Sequence, residues 1–168
     1  MILETSAEVE EGVRILKRCY PEMRTLRDVS EEQLQASKKE MPEHVFRRCL
    51  HVVTENRRVL RAAEALREHD FASFGKRMYE AHASMRDNYA ASCAETDILV
   101  ELAAKQRGCY GARITGAGFG GCTVNLVAAE HSEKFVENLR AGYLQATGIR
   151  AEIYLSRASS GAGPLLRN

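Results

Sequence analysis

One short segment of the chain, residues 115–121, combines residue types that suit phosphate binding. It reads Thr115-Gly116-Ala117-Gly118-Phe119-Gly120-Gly121. Glycine permits positive φ angles and lets the backbone approach a ligand closely. Successive N–H groups in such a loop can converge on one anion. A hairpin that only reverses the chain needs no more than one or two glycines, so the composition favours a binding loop over a simple turn.

The spacing of Gly116, Gly118 and Gly121 also satisfies the dinucleotide-binding fingerprint, but the surrounding pattern does not fit it. That fingerprint opens a helix, whose N-terminus meets the pyrophosphate. Here residues 122–128 alternate as a strand does, and no Gly-Lys-Ser/Thr follows to make a P-loop. The sequence predicts a loop between two strands. A Rossmann nucleotide-binding module is the alternative, and it requires a helix directly after Gly121.

Helical periodicity dominates the chain before this loop. A Thr5–Glu8 capping box predicts a helix from residue 5 to residue 20, and Ser30 with Gln33 predicts the start of another after an extended piece at 25–29. Later helices are predicted over residues 42–67, after an Asp70 cap, and after a Ser92–Glu95 capping box. The 42–67 helix carries a continuous packing stripe at alternating four- and three-residue spacing: Val45, Cys49, Val52, Asn56, Val59, Ala63 and Leu66.

The second part of the chain alternates as strands do, which predicts an α+β fold with helices packed on a small antiparallel sheet. One strand places Tyr110, Ala112 and Ile114 on one face. The next places Cys122, Val124, Leu126 and Ala128 toward the core. A helix at 133–145 ends near Gly148, a last strand covers 151–155, and residues 159–164 form a turn-rich loop.

The overall composition excludes several classes of protein. The 168 residues carry 24 basic and 23 acidic side chains, a balance without the basic surface that nucleic acid or an anionic membrane requires. Five cysteines without a Cys-x-x-Cys pair indicate reduced thiols in a cytoplasmic protein, not a disulfide framework or a zinc site. No apolar run approaches the length of about 20 residues that spans a bilayer. The first residues do not resemble a secretion signal.

One residue pair and three single residues are further site candidates. Arg86 and Asp87 are predicted to form an ion pair or a helix cap. Arg113 either approaches an anion or is paired structurally. Cys122 is predicted to be an inert thiol, because it begins the core-facing set of its strand. Asn56 is expected to be a buried amide that fixes helix register, or a partly exposed position.

The residues around the loop resemble a known family. Residues 111–122, Gly-Ala-Arg-Ile-Thr-Gly-Ala-Gly-Phe-Gly-Gly-Cys, match the third signature of galactokinases, a branch of the GHMP kinases, almost residue for residue. The segments 51–56 and 84–89, with Ser92-Cys93, also resemble that family, so the similarity covers almost the whole chain. Asn88, Ala94 and Thr96 stand where the family usually has aspartate, proline and leucine.

This resemblance implies that residues 1–168 form one GHMP kinase C-terminal domain with a ferredoxin-like core. The family's sugar-binding signature, its second phosphate-binding signature and its catalytic aspartate are not found in the sequence. The chain is therefore expected to be a fragment of a two-domain kinase, with its active site in the cleft between the domains. We expect no catalytic residue and no metal ligand in this chain.

The resemblance further implies transfer of a phosphoryl group from Mg-ATP to O1 of galactose, with ATP and Mg²⁺ held mainly by the N-terminal domain. The loop residues are expected to contact the nucleotide: Thr115, Gly116, Ala117, Gly118, Phe119, Gly120 and Gly121. The expected partners are that N-terminal domain and galactose, and the full-length protein is expected to be monomeric. Three alternatives stay open: a non-catalytic sugar and ATP sensor, a kinase for a related sugar such as N-acetylgalactosamine, and a free-standing interaction domain.

Overall fold

Helices form most of the chain, and one pair of strands follows them. The computed structural model describes residues 2–158. Within this range the helices and strands follow in the order α1 (Ile2–Cys19), α2 (Glu31–Ala36), α3 (Glu43–Arg67), α4 (Phe71–Asp87), α5 (Ala94–Ala104), β1 (Cys109–Thr115), β2 (Cys122–Val127) and α6 (Ser132–Thr147). The predicted α+β class is confirmed, whereas the predicted loop at 159–164 lies outside the described residues. None of the helices in the described range has both the length and the apolar character needed to cross a bilayer.

Two of the predicted helix starts are confirmed by their capping hydrogen bonds. Ser30 Oγ accepts a bond from the N–H of Gln33 at 3.2 Å, and the Gln33 side chain accepts one from the N–H of Ser30 at 2.8 Å. Asp70 Oδ1 accepts a bond from the N–H of Ser73 at 2.9 Å. Each bond satisfies a first-turn amide that has no acceptor within its own helix, so the local sequence sets these boundaries.

Two other predicted starts, at Thr5 and Ser92, are wrong by a turn or less. Thr5 does not cap α1, because the helix already begins at Ile2 and Thr5 lies buried within it, 6% exposed. Helix α5 begins after Cys93, whose N–H lies 3.4 Å from Thr96 Oγ1. Ser92 lies one residue before this cap position, and its hydroxyl donates to an Asp97 side-chain oxygen at 2.5 Å.

Residues 25–29, predicted to be extended, instead contain a turn of 3₁₀ helix over Leu26–Asp28. Thr25 and Asp28 form a capping box, in which Asp28 Oδ2 accepts bonds from the N–H groups of Thr25 and Arg24 at 2.8 and 2.9 Å. These two bonds lower the pKa of Asp28, because they stabilise its ionised form. The Thr-x-x-Asp spacing of residues 25–28 is typical of a capping box and could have predicted this turn.

The two strands pair antiparallel, and their register decides which side chains face inward. Ala112 lies opposite Asn125 and Ile114 lies opposite Thr123, so these residues share the buried face of the sheet. The prediction that Cys122 and its alternate neighbours face the core is therefore wrong. Cys122 is exposed, and Val124 is 46% exposed. A shift of one residue in register turns every side chain of a strand to the other face.

Two further strand predictions fail. Tyr110 does not share the buried face with Ala112, because the pairing is irregular between Cys109 and Gly111 and Tyr110 is left exposed. Residues 151–155 form no strand; among the described residues they make no backbone hydrogen bond with β2. Ile153 nevertheless packs against the core formed by α5, β1 and α6. The apolar alternation correctly predicted contact with the core, but within residues 2–158 the segment does not pair with a neighbouring strand.

The buried apolar side chains form two clusters. The first cluster joins α1, α2 and α3 with the 3₁₀ turn, and the second joins α5, β1 and α6. The predicted stripe of α3 is confirmed only in its first half. Val45 and Cys49 are fully buried, whereas Val59 is 60% exposed and Leu66 is 43% exposed. The polar member of the stripe, Asn56, is half-buried.

Helix α4 approaches the backbone of β1 without any side chain between them. Gly75 on α4 faces Gly111 on β1, and a Cβ added at Gly75 would lie 1.9 Å from the carbonyl oxygen of Tyr110. A Cβ added at Gly111 would lie 2.4 Å from the Cα of Gly75. Both positions therefore require glycine, because backbone atoms on the other side cannot move as a flexible side chain does.

We predict that Gly75→Ala lowers the free energy of unfolding by about 3 kcal/mol, because the added methyl group forces α4 away from β1. Alanine's better helix propensity offsets only about 1 kcal/mol of this loss. Gly142→Ala in α6 is the matched control, since its methyl group would meet only the Leu102 side chain at 3.3 Å. Urea unfolding followed by circular dichroism measures both variants. Equal stability of the two would contradict the close backbone contact.

His51 on α3 is buried, and its Nδ1 lies 3.0 Å from Ser84 Oγ on α4. Burial is the main reason that the pKa of His51 falls to about 4, and the nearby positive charges of Arg58 and Arg113 add to the effect. The folded chain therefore binds a proton at lower pH than the unfolded chain, in which the pKa is near 6.5. The stability contributed by neutral His51 is complete above about pH 6.5 and is lost as the pH falls toward 4.

We expect the wild-type chain to lose about 3 kcal/mol of unfolding free energy between pH 6.5 and pH 4 through this residue. His51→Asn cannot titrate in that range, and its side-chain oxygen can still accept a bond from Ser84. Denaturant unfolding at several pH values should give a shallower pH dependence for His51→Asn than for the wild type. Parallel curves for the two proteins would show that His51 titrates normally.

Candidate functional site

The glycine-rich loop between β1 and β2 has a backbone that few residues other than glycine adopt. The φ angle is +88° at Gly116, +84° at Gly118, +128° at Gly120 and +97° at Gly121. Phe119 is the exception, a non-glycine residue at +62°. A left-handed conformation strains an ordinary side chain, so the glycines meet a conformational requirement that extends through the loop.

One hydrogen bond fixes the loop to the rest of the domain. The N–H of Phe119 donates to the carbonyl oxygen of Ala91, in the segment that leads into α5, at 2.8 Å. Gly118 allows this approach, because a Cβ there would lie 2.4 Å from the same oxygen. Gly120 also lies near this segment, with the position of its Cβ 3.8 Å from Cys93 Sγ. The loop therefore lies close to the first residue before α5.

The other amides of the loop are free to bind a ligand. Among the described residues, the N–H groups of Gly116, Ala117, Gly118, Gly120 and Gly121 have no hydrogen-bond acceptor. Residues 115–117 and Gly121 are exposed. Unpaired amides in a run of positive-φ residues make a concave surface that attracts anions. Gly116 and Gly121 have no side chain that could cover this surface. A Cβ added at either residue would have no atom of a non-adjacent residue within 4 Å.

The structure excludes the Rossmann alternative. Gly121 is followed at once by β2, which pairs with β1 through Thr115 and Cys122, and not by a helix. The loop therefore lacks the helix N-terminus that a dinucleotide fingerprint places against the pyrophosphate. The hypothesis that this loop binds an anion therefore rests on its own amides.

The charged candidates are engaged in ion pairs within the chain. Arg113 Nη1 lies 3.9 Å from Glu55 Oε2 on α3, and Arg113 Nε donates to the carbonyl oxygen of Ile114 at 3.1 Å. Burial lowers the pKa of Arg113. Arg86 and Asp87 form the predicted ion pair, with Nε 2.8 Å from Oδ1. The cysteine at the start of β2, Cys122, is exposed and not part of the core.

Sequence reasoning missed a polar cluster that lies behind the loop. His82 on α4 is 3% exposed, and its Nδ1 accepts a bond from the N–H of Ile114 at 3.3 Å. Its Nε2 lies 3.1 Å from Asp97 Oδ1 on α5, the oxygen that also accepts from Ser92. Burial lowers the pKa of His82 even though Asp97 acts to raise it. No sequence pattern marks this cluster, because its members come from α4, β1 and the start of α5 and are far apart along the chain.

The described residues contain no group of three or more histidine, cysteine, aspartate or glutamate side chains that is placed to hold a metal ion. A hard cation such as Mg²⁺ binds oxygen ligands, chiefly carboxylates and phosphates. The loop offers amide donors, which suit the phosphates of a nucleotide and not the cation. Among residues 2–158, the unpaired amides of the loop are groups that suit an anion, and no side-chain cluster suits a metal ion.

Comparison with known proteins decides the family. Residues 62–144 match the family model for the C-terminal region of GHMP kinases. The chain is 50% identical over 161 residues to a galactokinase of Roseiflexus sp. and 45% identical over 138 residues to human galactokinase. The chain belongs to the GHMP kinase family, as a C-terminal domain of the galactokinase type.

A solved structure agrees with this assignment. The GHMP kinase domain superposes on a crystal structure of Lactococcus lactis galactokinase complexed with galactose with a TM-score of 0.88, at 33% identity and over 94% of this chain. This chain spans only 41% of the Lactococcus protein's length. It covers 41% of the Roseiflexus protein and 34% of the human protein. These matches extend over 96% and 82% of this chain, respectively. These relatives are thus more than twice as long as the region they share with it.

We predict that Gly118→Ala in this GHMP kinase domain loosens the loop more than Gly121→Ala does. Both variants place an alanine at positive φ and cost about 1 kcal/mol for that reason. Only the methyl group at position 118 collides with the carbonyl oxygen of Ala91. Selective ¹⁵N-phenylalanine labelling and hydrogen exchange should report faster exchange of the Phe119 amide in Gly118→Ala. Similar exchange in both variants would show that this hydrogen bond does not fix the loop.

Proposed function

We propose that the chain is the C-terminal domain of a two-domain, ATP-dependent galactokinase, which transfers a phosphoryl group to O1 of galactose. The observation that carries the proposal is the partly exposed loop 115–121, which has five unpaired amides and lies beside the start of α5. The galactokinases that match most of the chain support the sugar kinase class. Galactose as the substrate is supported by the names of these relatives and by the galactose complex of the Lactococcus protein.

The loop is proposed to bind the phosphates of the nucleotide. Phosphoryl transfer depends mainly on positioning and on the stabilisation of negative charge on the phosphoryl oxygens. Amides held in place before the reaction provide that stabilisation without reorganising. The Phe119–Ala91 hydrogen bond anchors the loop to the segment before α5, and the remaining amides are proposed to be aimed at the phosphates in advance. The loop residues also exclude water from the nucleotide on the side that they cover.

The rest of the active site is assigned to an N-terminal domain outside this chain. The described residues provide no carboxylate cluster for Mg²⁺, and no residue here is assigned a catalytic role. ATP supplies the phosphoryl group, and Mg²⁺ neutralises charge on its phosphates when bound. Both are proposed to be held mainly by the N-terminal domain. That division agrees with the length of the relatives, of which this chain spans 34–41%.

The full-length protein is proposed to act as a monomer in the cytoplasm. The five cysteines of the sequence are all unpaired, which agrees with a reducing compartment.

The direct test is an assay of galactose 1-phosphate formation from galactose and Mg-ATP. We expect turnover by the longer protein that carries this domain and none by the 168-residue chain alone, because the chain has no metal cluster among its described residues. Binding of galactose and ATP without turnover by the longer protein would indicate a sensor. A preference for N-acetylgalactosamine would indicate a kinase for that sugar.

We predict that Gly118→Val in the longer protein lowers turnover at least about tenfold, because the side chain displaces the loop and its amides. Gly148→Ala is the matched control. Gly148 also has positive φ, at +72°, and a Cβ there has no atom within 4 Å, but it caps α6 and is not part of the loop. The control should keep wild-type turnover. Wild-type turnover in Gly118→Val, with the protein folded by circular dichroism, would contradict the phosphate role of the loop.

A further inference from the structure

The end of β1 is connected to α4 through a buried histidine. The N–H of Ile114, the last residue before Thr115 and the loop, donates to His82 Nδ1 at 3.3 Å. A ring nitrogen that accepts a hydrogen bond carries no proton, so the neutral ring has its proton on Nε2. His82 is 3% exposed, and burial lowers its pKa, which favours the neutral ring. Its tautomer is thus set by the strand that leads into the loop.

The other ring nitrogen of His82 faces a second element. Nε2 lies 3.1 Å from Asp97 Oδ1 in the first turn of α5, although the two atoms are not aligned as a regular hydrogen bond. The same oxygen accepts a bond from Ser92 Oγ at 2.5 Å. Ser92 Oγ also lies 3.1 Å from Thr96 Oγ1. The ring therefore stands between β1 and the residues that precede α5.

The segment before α5 also binds the glycine-rich loop directly. Ala91, next to Ser92, accepts the hydrogen bond from Phe119. Ala91 is fully buried, and its neighbour Ala90 has a φ of +54°, a strained angle for alanine. A segment in such a conformation needs neighbouring contacts to keep it in place. The Ser92–Asp97 bond is such a contact, and it adjoins His82.

We infer that His82 is a positioning residue for the phosphate-binding loop, acting through Ile114 at one end of the loop and through Asp97 and Ser92 at its Ala91 contact. This inference rests on the proposed function of the loop. His82 itself does not contact the loop amides or a substrate. The ring joins β1 through the Ile114 hydrogen bond and closely approaches Asp97 of α5 through Nε2, and the loop is held between β1 and the segment before α5.

Two substitutions separate the two contacts in the longer protein. His82→Asn keeps an acceptor near the position of Nδ1 but loses the group that faces Asp97. His82→Gln keeps a group near the position of Nε2 but loses the acceptor for Ile114. Each is expected to speed hydrogen exchange of the Phe119 amide about tenfold relative to the amide of Phe46, which donates to the carbonyl oxygen of Pro42 at the start of α3. Selective ¹⁵N-phenylalanine labelling resolves the two signals.

The kinetic readout distinguishes positioning from general stability. Each His82 variant is expected to raise the KM for Mg-ATP about tenfold and to leave the KM for galactose within about twofold, because the loop is assigned to the phosphates. Tyr79→Phe is the matched control. It removes another α4–β1 contact, the one between Tyr79 Oη and Cys109 Sγ at 3.4 Å, at the end of β1 that is distant from the loop. This control should leave Phe119 exchange and both KM values unchanged.

Ser92→Ala tests the same connection without altering a buried ring, and it should reproduce the faster Phe119 exchange. The inference is overturned if Phe119 exchange in these variants changes no more than in Tyr79→Phe, or if the KM for Mg-ATP stays at the wild-type value. Absence of kinase activity in the wild-type protein would refute the proposed function instead. The exchange measurement would then still decide whether His82 positions the loop.

Discussion

The contact between α4 and β1 organises this domain. Gly75 and Gly111 bring the two backbones together, with no side chain between them. Two further residues of α4 also contact β1. Tyr79 Oη lies near Cys109 Sγ, and His82 Nδ1 accepts a hydrogen bond from the N–H of Ile114. Positions 75, 79 and 82 lie on one face of a helix because they are spaced by four and three residues. The strand that ends in the glycine-rich loop is therefore held along its length by one helix.

The exposed face of the sheet is stabilised in another way, through charges. Arg113 of β1 lies near Glu55 of α3, which pairs with Arg58; Glu80 of α4 pairs with Arg77 and lies 3.8 Å from Arg58. Burial lowers the pKa of both Arg58 and Arg113, because the surroundings disfavour their charge. Removal of either glutamate would leave a half-buried positive charge without its partner. Arg113 is thereby committed to joining β1 with α3, which agrees with the structural option that the sequence left open.

Local rules predicted the parts of the fold that local interactions control. The caps at Ser30 and Asp70 are confirmed because each depends on a hydrogen bond within three residues. The inward face of β2 was predicted wrongly, because alternation gives the period but the pairing with β1 gives the register. The prediction that the whole α3 stripe is buried failed for a similar reason, because burial depends on contacts with other elements. Spacing shows that Val59 and Leu66 share a face with Val45, but not whether another element covers it.

The sequence by itself determined that a loop rich in glycine joins two strands and that this loop resembles the third signature of galactokinases. It could do so because φ preference and strand alternation depend on residue type and near neighbours. Only the tertiary structure decided what holds the loop. Its acceptor, Ala91, is an apolar residue that contributes a backbone carbonyl, and His82 lies 32 residues from Ile114. No sequence pattern encodes such bonds, because every residue has a carbonyl group and packing alone selects which one meets the loop.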